Sequence, residues 1–158
     1  MPYTKFEVTI TAIIFREDGR MLITKRSATK RLYPSRWTVP GGHLEVSDYN
    51  TLPKTPGTDW WYEALEIALS REVLEEVGLT VQNVKYLTSM ATNLKDSDIL
   101  VISCYADVAS GEVVLQQEEA VEAAWVTAEE ARDFDLIEGI RAELELAEQK
   151  WNHERWNL

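Results

Sequence analysis

The chain has a single cysteine, Cys104, in 158 residues. That excludes an intrachain disulfide and any metal site built from several thiolates. Cys104 lies in the apolar run ILVISCYADV, which marks it as a core side chain. Positive charge is scarce as well: 16 Lys and Arg stand against 27 Asp and Glu, a formal net charge of −11. A nucleic-acid polymer or an anionic membrane demands a basic surface, so neither is expected as a partner. Small phosphorylated molecules stay compatible, because a bound divalent cation reverses the local field. No apolar run approaches the roughly 20 residues that span a bilayer, and the N-terminal segment lacks the basic-then-apolar order of a secretion signal. The cytoplasm is the expected compartment. Internal repeats and low-complexity tracts are also missing. What is present is 45% hydrophobic and 27% charged residues, suited to one domain over 1–158 with a sizeable core.

The chemistry concentrates in residues 71–79, REVLEEVGL, where carboxylates fall at Glu72, Glu75 and Glu76. On a helix turning about 100° per residue, offsets of three and four bring these side chains together on one face. Like charges so close need a cation among them, and an all-oxygen donor set suits Mg²⁺, with Mn²⁺ as the second choice. A solvated acidic face is the plain alternative. Against it, the segment is apolar on two sides: Leu65, Ala68 and Leu69 on one, Ile67, Leu74 and Val77 on the other. That pattern predicts a helix packed between layers, with its acids at a semi-buried edge.

Glu63, seven further residues, and then Arg71, Glu72, Val73, Glu75, Glu76, Gly78 and Leu79 resemble the Nudix box throughout its helical half. The box begins with a glycine six positions before its first glutamate. Here the Trp37-to-Gly42 segment, with Pro40-Gly41-Gly42, resembles the family's opening loop, yet Glu63 follows Gly42 by twenty-one positions. This reads as a fifteen-residue insertion at about 46–60. Gly57 meets the literal spacing but lacks the Trp-x-x-Pro-Gly-Gly context, so the opening role goes to Gly41 and Gly42. The resemblance implies an α/β fold, the Nudix-type α/β/α sandwich with a mixed sheet between helices. It also implies a Gly41 carbonyl on the metal, and structural roles for Gly42, Glu63, Arg71 and Gly78. Arg71 would pair with a box glutamate, Glu63 being one candidate.

Elsewhere the pattern is legible element by element. Residues 5–16 read as a strand that becomes central, Asp18-Gly19 as a hairpin turn, and MLITKR as the returning strand. Lys25, Arg26, Arg31 and Arg36 form the most basic segment, able to steer a polyphosphate or simply to solvate the surface. In the loop 46–62, Tyr49, Trp60 and Trp61 either stack on a substrate base or pin the insertion down. Thr58 or Asp59 would cap a helix from about Trp60 to Val77, stopped by Gly78. Two strands, VQNVKYLTSMAT and ILVISCYADV, are joined by a linker at Asn93 to Asp98, and Ser110-Gly111 turns the second into a strand at EVVLQ. Residues 116–122, QQEEAVE, precede the strand AAWVT. The family resemblance implies an acidic metal ligand or general base here, assigned to Glu119 with Glu118 or Glu122 in reserve. Thr127 with Glu130 forms a capping box. From Ile137, helical spacing through Trp151 predicts a second helix over the far face of the sheet. Trp151 and Trp156 could instead mark a dimer contact, leaving monomer and homodimer both open.

With an acid face suited to Mg²⁺, the Nudix resemblance implies a Mg²⁺-dependent hydrolase that cleaves the pyrophosphate linkage of a nucleoside diphosphate joined to another group. Glu72, Glu75, Glu76 and Glu119 would carry the chemistry, and Arg26, Arg36, Trp60 and Trp61 would bind substrate. The alternatives are a nucleotide-sensing domain that does not cleave, and an interaction module whose acidic helix is structural.

Overall fold

A computed structural model of the chain describes residues 3–94 and 96–156; Lys95, inside the predicted linker, lies outside the described residues. Strand β1 (Phe6–Phe15) is the axis of the sheet. It pairs antiparallel with β2 (Met21–Arg26) through the turn at Gly19, whose φ of 84° suits glycine. On its other side it pairs in parallel with β6 (Ser97–Ser110), which in turn pairs antiparallel with β5 (Thr80–Leu94). The short strands β3 (Trp37–Thr38) and β4 (Gly41–His43) join β2 and β1, and β7 (Ala120–Val126) pairs with β2. The result is a mixed sheet with helices on both faces.

The continuous apolar end of β1 follows from that burial. Ile10, Ala12 and Ile14 pack under helix α2 (Ala64–Val77) against Ala68, Leu69, Val73 and Val77. Ile13 and Phe15 point the other way, towards Leu144, Ala147 and Trp151 of helix α3 (Ile140–Trp156). A strand covered on both faces cannot alternate with polar residues. Trp151 stacks on Phe15 at 4.8 Å between centroids and donates its indole N–H to Asp107 at 2.8 Å, so it belongs to the core; Trp156 is exposed. Cys104 is buried in the α2-side core as expected.

Five local expectations are corrected. Helix α2 begins at Ala64, not near Trp60, because Glu63 sits in the left-handed region at φ 61°. Thr58 caps nothing on that helix; its hydroxyl bonds within the insertion, to Thr55, and accepts from the Trp60 amide. The helix is not sandwiched on two sides, since Leu74 is 53% exposed and the buried residues form one stripe. Residues 112–116 are not a strand. There the Val114 and Gln116 amides donate to the Val77 and Glu76 carbonyls at 2.9 Å, filling acceptors that the end of α2 leaves open. Near the C-terminus the capping box forms, with Thr127 and Glu130 bonded in both directions, but it opens a single 3₁₀ turn (Glu130–Asp133), and α3 starts at Ile140.

Candidate active site

Helix α2 brings Glu72, Arg71, Glu75 and Glu76 beside the Gly-Gly segment because β4 is laid along β1, with Thr11 opposite Gly41 and Ile10 opposite Gly42. The two glycines serve different contacts. A β-carbon on Gly41 would stand 2.4 Å from the Ile10 carbonyl oxygen, whereas one on Gly42 would stand 2.1 Å from the Glu72 carboxyl carbon. The first obstacle is backbone and the second the movable tip of a side chain. Gly41→Ala is therefore expected to destabilise the fold. Gly42→Ala should leave the melting temperature within a few degrees of wild type and displace Glu72, lowering turnover by about tenfold or more. Thermal melts beside rate measurements check the pair; a Gly42→Ala protein with full turnover would show that Glu72 need not sit where it does.

Glu76 is the most perturbed acid. Its Oε2 accepts from the Gly41 amide at 3.2 Å. Burial, reinforced by the nearby charges of Glu119 and Glu72, pushes its carboxyl up to about 7, although the Gly41 bond and Arg26 pull the other way. Burial also raises Glu72, against the pull of Arg71. It is the Gly41 amide, a donor, that touches the acid.

Arg71 is the hub of the helix. It forms a forked pair with Asp48, through Nε to Oδ1 and, at 3.0 Å, Nη2 to Oδ2. It also reaches Glu72 at 3.0 Å, Glu75 at 3.2 Å and the His43 carbonyl at 3.1 Å. Asp48 lies in the four-residue helix α1 (Ser47–Asn50), its side chain 1% exposed, and also accepts from the Glu45 amide at 2.8 Å. The Arg71 guanidinium holds the Asp48 carboxyl below its ordinary range, and Asp48 in turn raises Arg71. Arg71 thus pairs with box glutamates, Glu72 and Glu75, but Glu63, the candidate named for it, makes no ion pair among the described residues. The missed residue had a signal: Asp48 stands six positions after Gly42, the motif's own spacing, with the shorter acid in place of glutamate. The fifteen extra residues then fall between Asp48 and the helix.

The acidic loop reaches the site because residues 112–116 are bonded along the end of α2. A turn from Gln116 to Glu119 follows, and the Glu119 carbonyl accepts from the Ser27 amide at 3.0 Å. Glu119 is thus set near enough to Glu76 to be felt as charge. Its carboxylate is paired with Lys30 at 2.6 Å. Glu122 is on β7, paired with Lys25 at 2.8 Å, and Glu118 forms no pair among the described residues.

The four residues expected to bind substrate separate. Arg26 lies close enough to act on Glu76, and its Nε donates to the Leu32 carbonyl at 2.9 Å. Arg36 is bound to Asp135 at 3.0 Å and to the Leu136 carbonyl at 2.5 Å, on the approach to α3. Trp61 is turned into the insertion, against Tyr49, with its N–H on the Leu52 carbonyl at 2.9 Å. Trp60 is 66% exposed. Both tryptophans precede α2, and a rise of about 1.5 Å per residue places Glu76 roughly 18 Å along the axis from Ala64.

A family model described as NUDIX domain matches residues 5–146. The chain belongs to the Nudix hydrolase family. Its fold is similar to that of the MutT protein from Methanosarcina mazei Go1, with a TM-score of 0.68 and 21% identity over 99% of each chain. It is also similar to the Nudix domain of Shewanella oneidensis NrtR, solved in complex with ADP ribose, with a TM-score of 0.70 and 16% identity over 94% of this chain and 90% of that one. In sequence it is 41% identical over 123 residues to the NAD-capped RNA hydrolase NudC of Salmonella agona, a stretch covering 78% of this chain and 40% of the relative. The chain spans well under half the length of the curated relatives it matches. Among the described residues no helix is long and apolar enough to cross a membrane.

The donor chemistry of this Nudix site suits a divalent cation. Two half-buried carboxylates, Glu72 and Glu76, are both disfavoured as anions by burial, and a cation would relieve both. In the arrangement described, no three His, Cys, Asp or Glu side chains form a closed cage among the described residues. Arg71 holds Glu72 and Glu75 instead, each by one oxygen.

Proposed function

We propose that this Nudix domain hydrolyses the pyrophosphate linkage of a small nucleotide compound with Mg²⁺, or Mn²⁺, as cofactor. The observation that carries the reading is Glu76, buried beside Glu72 and Glu119 at the Gly41 amide and driven up to about 7. Glu72, Glu75 and Glu76 would hold the cation, with the Gly41 carbonyl. When bound, such an ion polarises a phosphoryl oxygen and lowers the pKa of water. Glu119 would take the proton of the attacking water, and Arg26 would neutralise phosphate. Arg71, fixed by Asp48, orients Glu72 and Glu75.

The relatives' names point to adenosine pyrophosphates, and the net charge of −11 disfavours the body of an RNA. Free dinucleotide or ADP-ribose-like compounds, cleaved by a protein whose compartment we take to be the cytoplasm, are the favoured class. We take residues 1–158 as a single domain, acting as monomer or homodimer. The test is a panel of nucleoside triphosphates, nucleotide sugars, ADP-ribose, NAD and dinucleoside polyphosphates, incubated with Mg²⁺, with Mn²⁺ or with EDTA. Metal-dependent release of a nucleoside monophosphate from at least one is expected; no product from any would defeat the proposal. A second reading, binding without cleavage, is favoured by Arg71 occupying Glu72 and Glu75. Calorimetric binding of a panel compound with no product would establish it.

The insertion assigns different outcomes to its tryptophans. Trp60→Ala should raise KM about tenfold for a substrate long enough to reach along α2, with little change in melting temperature. Trp61→Ala should lower stability by about 2–3 kcal/mol, because it removes the ring that packs on Tyr49 and ties Leu52. Steady-state kinetics and chemical denaturation of both variants check this.

A further inference from the structure

Lys30 lies outside the Nudix motif and outside the acid cluster, on the loop that follows β2. Its ammonium is 2.6 Å from Glu119 Oε2, and both side chains are partly shielded from water. The pair does not stand alone. The Ser27 amide donates to the Glu119 carbonyl at 3.0 Å, the Lys30 amide donates to the Ser27 carbonyl at 3.2 Å, and the Ser27 hydroxyl bonds Thr29. One short turn thus grips Glu119 by backbone and side chain together. The neighbouring cations are engaged elsewhere: Lys25 with Glu122, and Arg26 through Nε with the Leu32 carbonyl.

Glu119 needs such a grip. It is on a turn near Glu76, and repulsion from that acid favours rotamers that swing it out into water. A cation fixed on the same turn opposes free rotation of the carboxylate while leaving the second oxygen uncommitted to Lys30. We infer that Lys30 is a positioning residue that holds the Glu119 carboxylate in the site for the attacking water. The inference rests on the hydrolase reading above.

The experiment is a double-mutant cycle on kcat and KM, using Lys30→Met, Glu119→Gln and the combination, with Lys30→Arg as the conservative variant. All are measured on the best substrate of the panel. Lys30→Met is expected to lower kcat about tenfold with KM within about twofold. Lys30→Arg should recover most of the loss. In the Glu119→Gln background, Lys30→Met should have no further effect, because the residue it acts through is already disabled. Should Lys30→Met fold poorly in a thermal melt, Lys30→Gln replaces it in the same cycle. Independent, multiplicative losses would overturn the inference, as would a loss confined to KM, which would mark Lys30 as a phosphate contact. Glu119→Gln with wild-type kcat would overturn it too. Absence of turnover by the wild-type protein defeats the hydrolase reading instead, so the two failures are separable.

Discussion

Glu76→Gln is expected to lower metal-dependent turnover by about 10³-fold and, in EDTA, to make the protein more stable near neutral pH. The loss of rate follows from removing the anion that sits deepest among the proposed cation ligands. The gain in stability follows from linkage. The Glu76 carboxyl has an ordinary value of 4.5 and is pushed up to about 7 by burial. Between those values the folded protein keeps a proton that the unfolded chain has released. Stability therefore falls as pH rises from about 4.5 to about 7, and the whole penalty is present above that. Discounted for partial exposure, the penalty is about 2 kcal/mol. Glutamine has no proton to lose, so its variant should lack this part of the fall; Glu72, also raised by burial, retains a smaller slope of the same sign. Denaturant unfolding at pH 5 and pH 8 in EDTA, alongside kinetics with Mg²⁺, measures both effects. Retained turnover would remove Glu76 from the site, and an identical pH dependence in the two proteins would remove the claim of a strained acid.

Asp48→Ala is expected to destabilise the fold by about 3–4 kcal/mol, and Glu63→Ala by less than about 0.5 kcal/mol. Breaking one side of a shielded ion pair leaves the other charge without its partner, and here Arg71 also loses the anchor from which it reaches Glu72 and Glu75. The Glu45 amide loses its acceptor in the same substitution. Because the Asp48 carboxyl is held below its ordinary range, its contribution is complete near neutral pH and is lost as pH falls through the depressed value. Chemical denaturation of the two variants at pH 7 decides between them. Equal losses, or a larger loss at Glu63, would return the arginine's partner to the position that motif spacing alone selects.

Asp48 also shows where sequence reading stopped. Counting back eight residues from Arg71 lands on Glu63, a glutamate, and the motif is satisfied. Counting forward six from Gly42 lands on Asp48, and that count agrees with the structure. An insertion leaves two candidate anchors, and the backbone chooses: Glu63 is spent on a left-handed turn into the helix, while Asp48 is carried to Arg71 by α1. The acids themselves were easier. Glu72, Glu75 and Glu76 share a helix face because of helix geometry, whatever surrounds them. Spacing leaves Glu119 one of three acids in its loop; in the fold the Val77 and Glu76 carbonyls draw residues 114–116 along the end of α2, and the turn that follows brings the charge of Glu119 near Glu76. Trp60 and Trp61 were equivalent in sequence and differ in space, because only one packs on Tyr49.

What the residues determined unaided is whatever depends on near neighbours: strand and helix periods, the hairpin at Gly19, the capping box at Thr127, the acid face of α2, and the family to which that face belongs. Only the tertiary structure decided the rest: the parallel pairing of β1 with β6, the choice of Asp48 for Arg71, the burial that strains Glu76, and the grip of Lys30 on Glu119. These last are contests among groups far apart in the chain. Their outcome rests on desolvation and on which partner the backbone can bring within reach, and neither quantity is local.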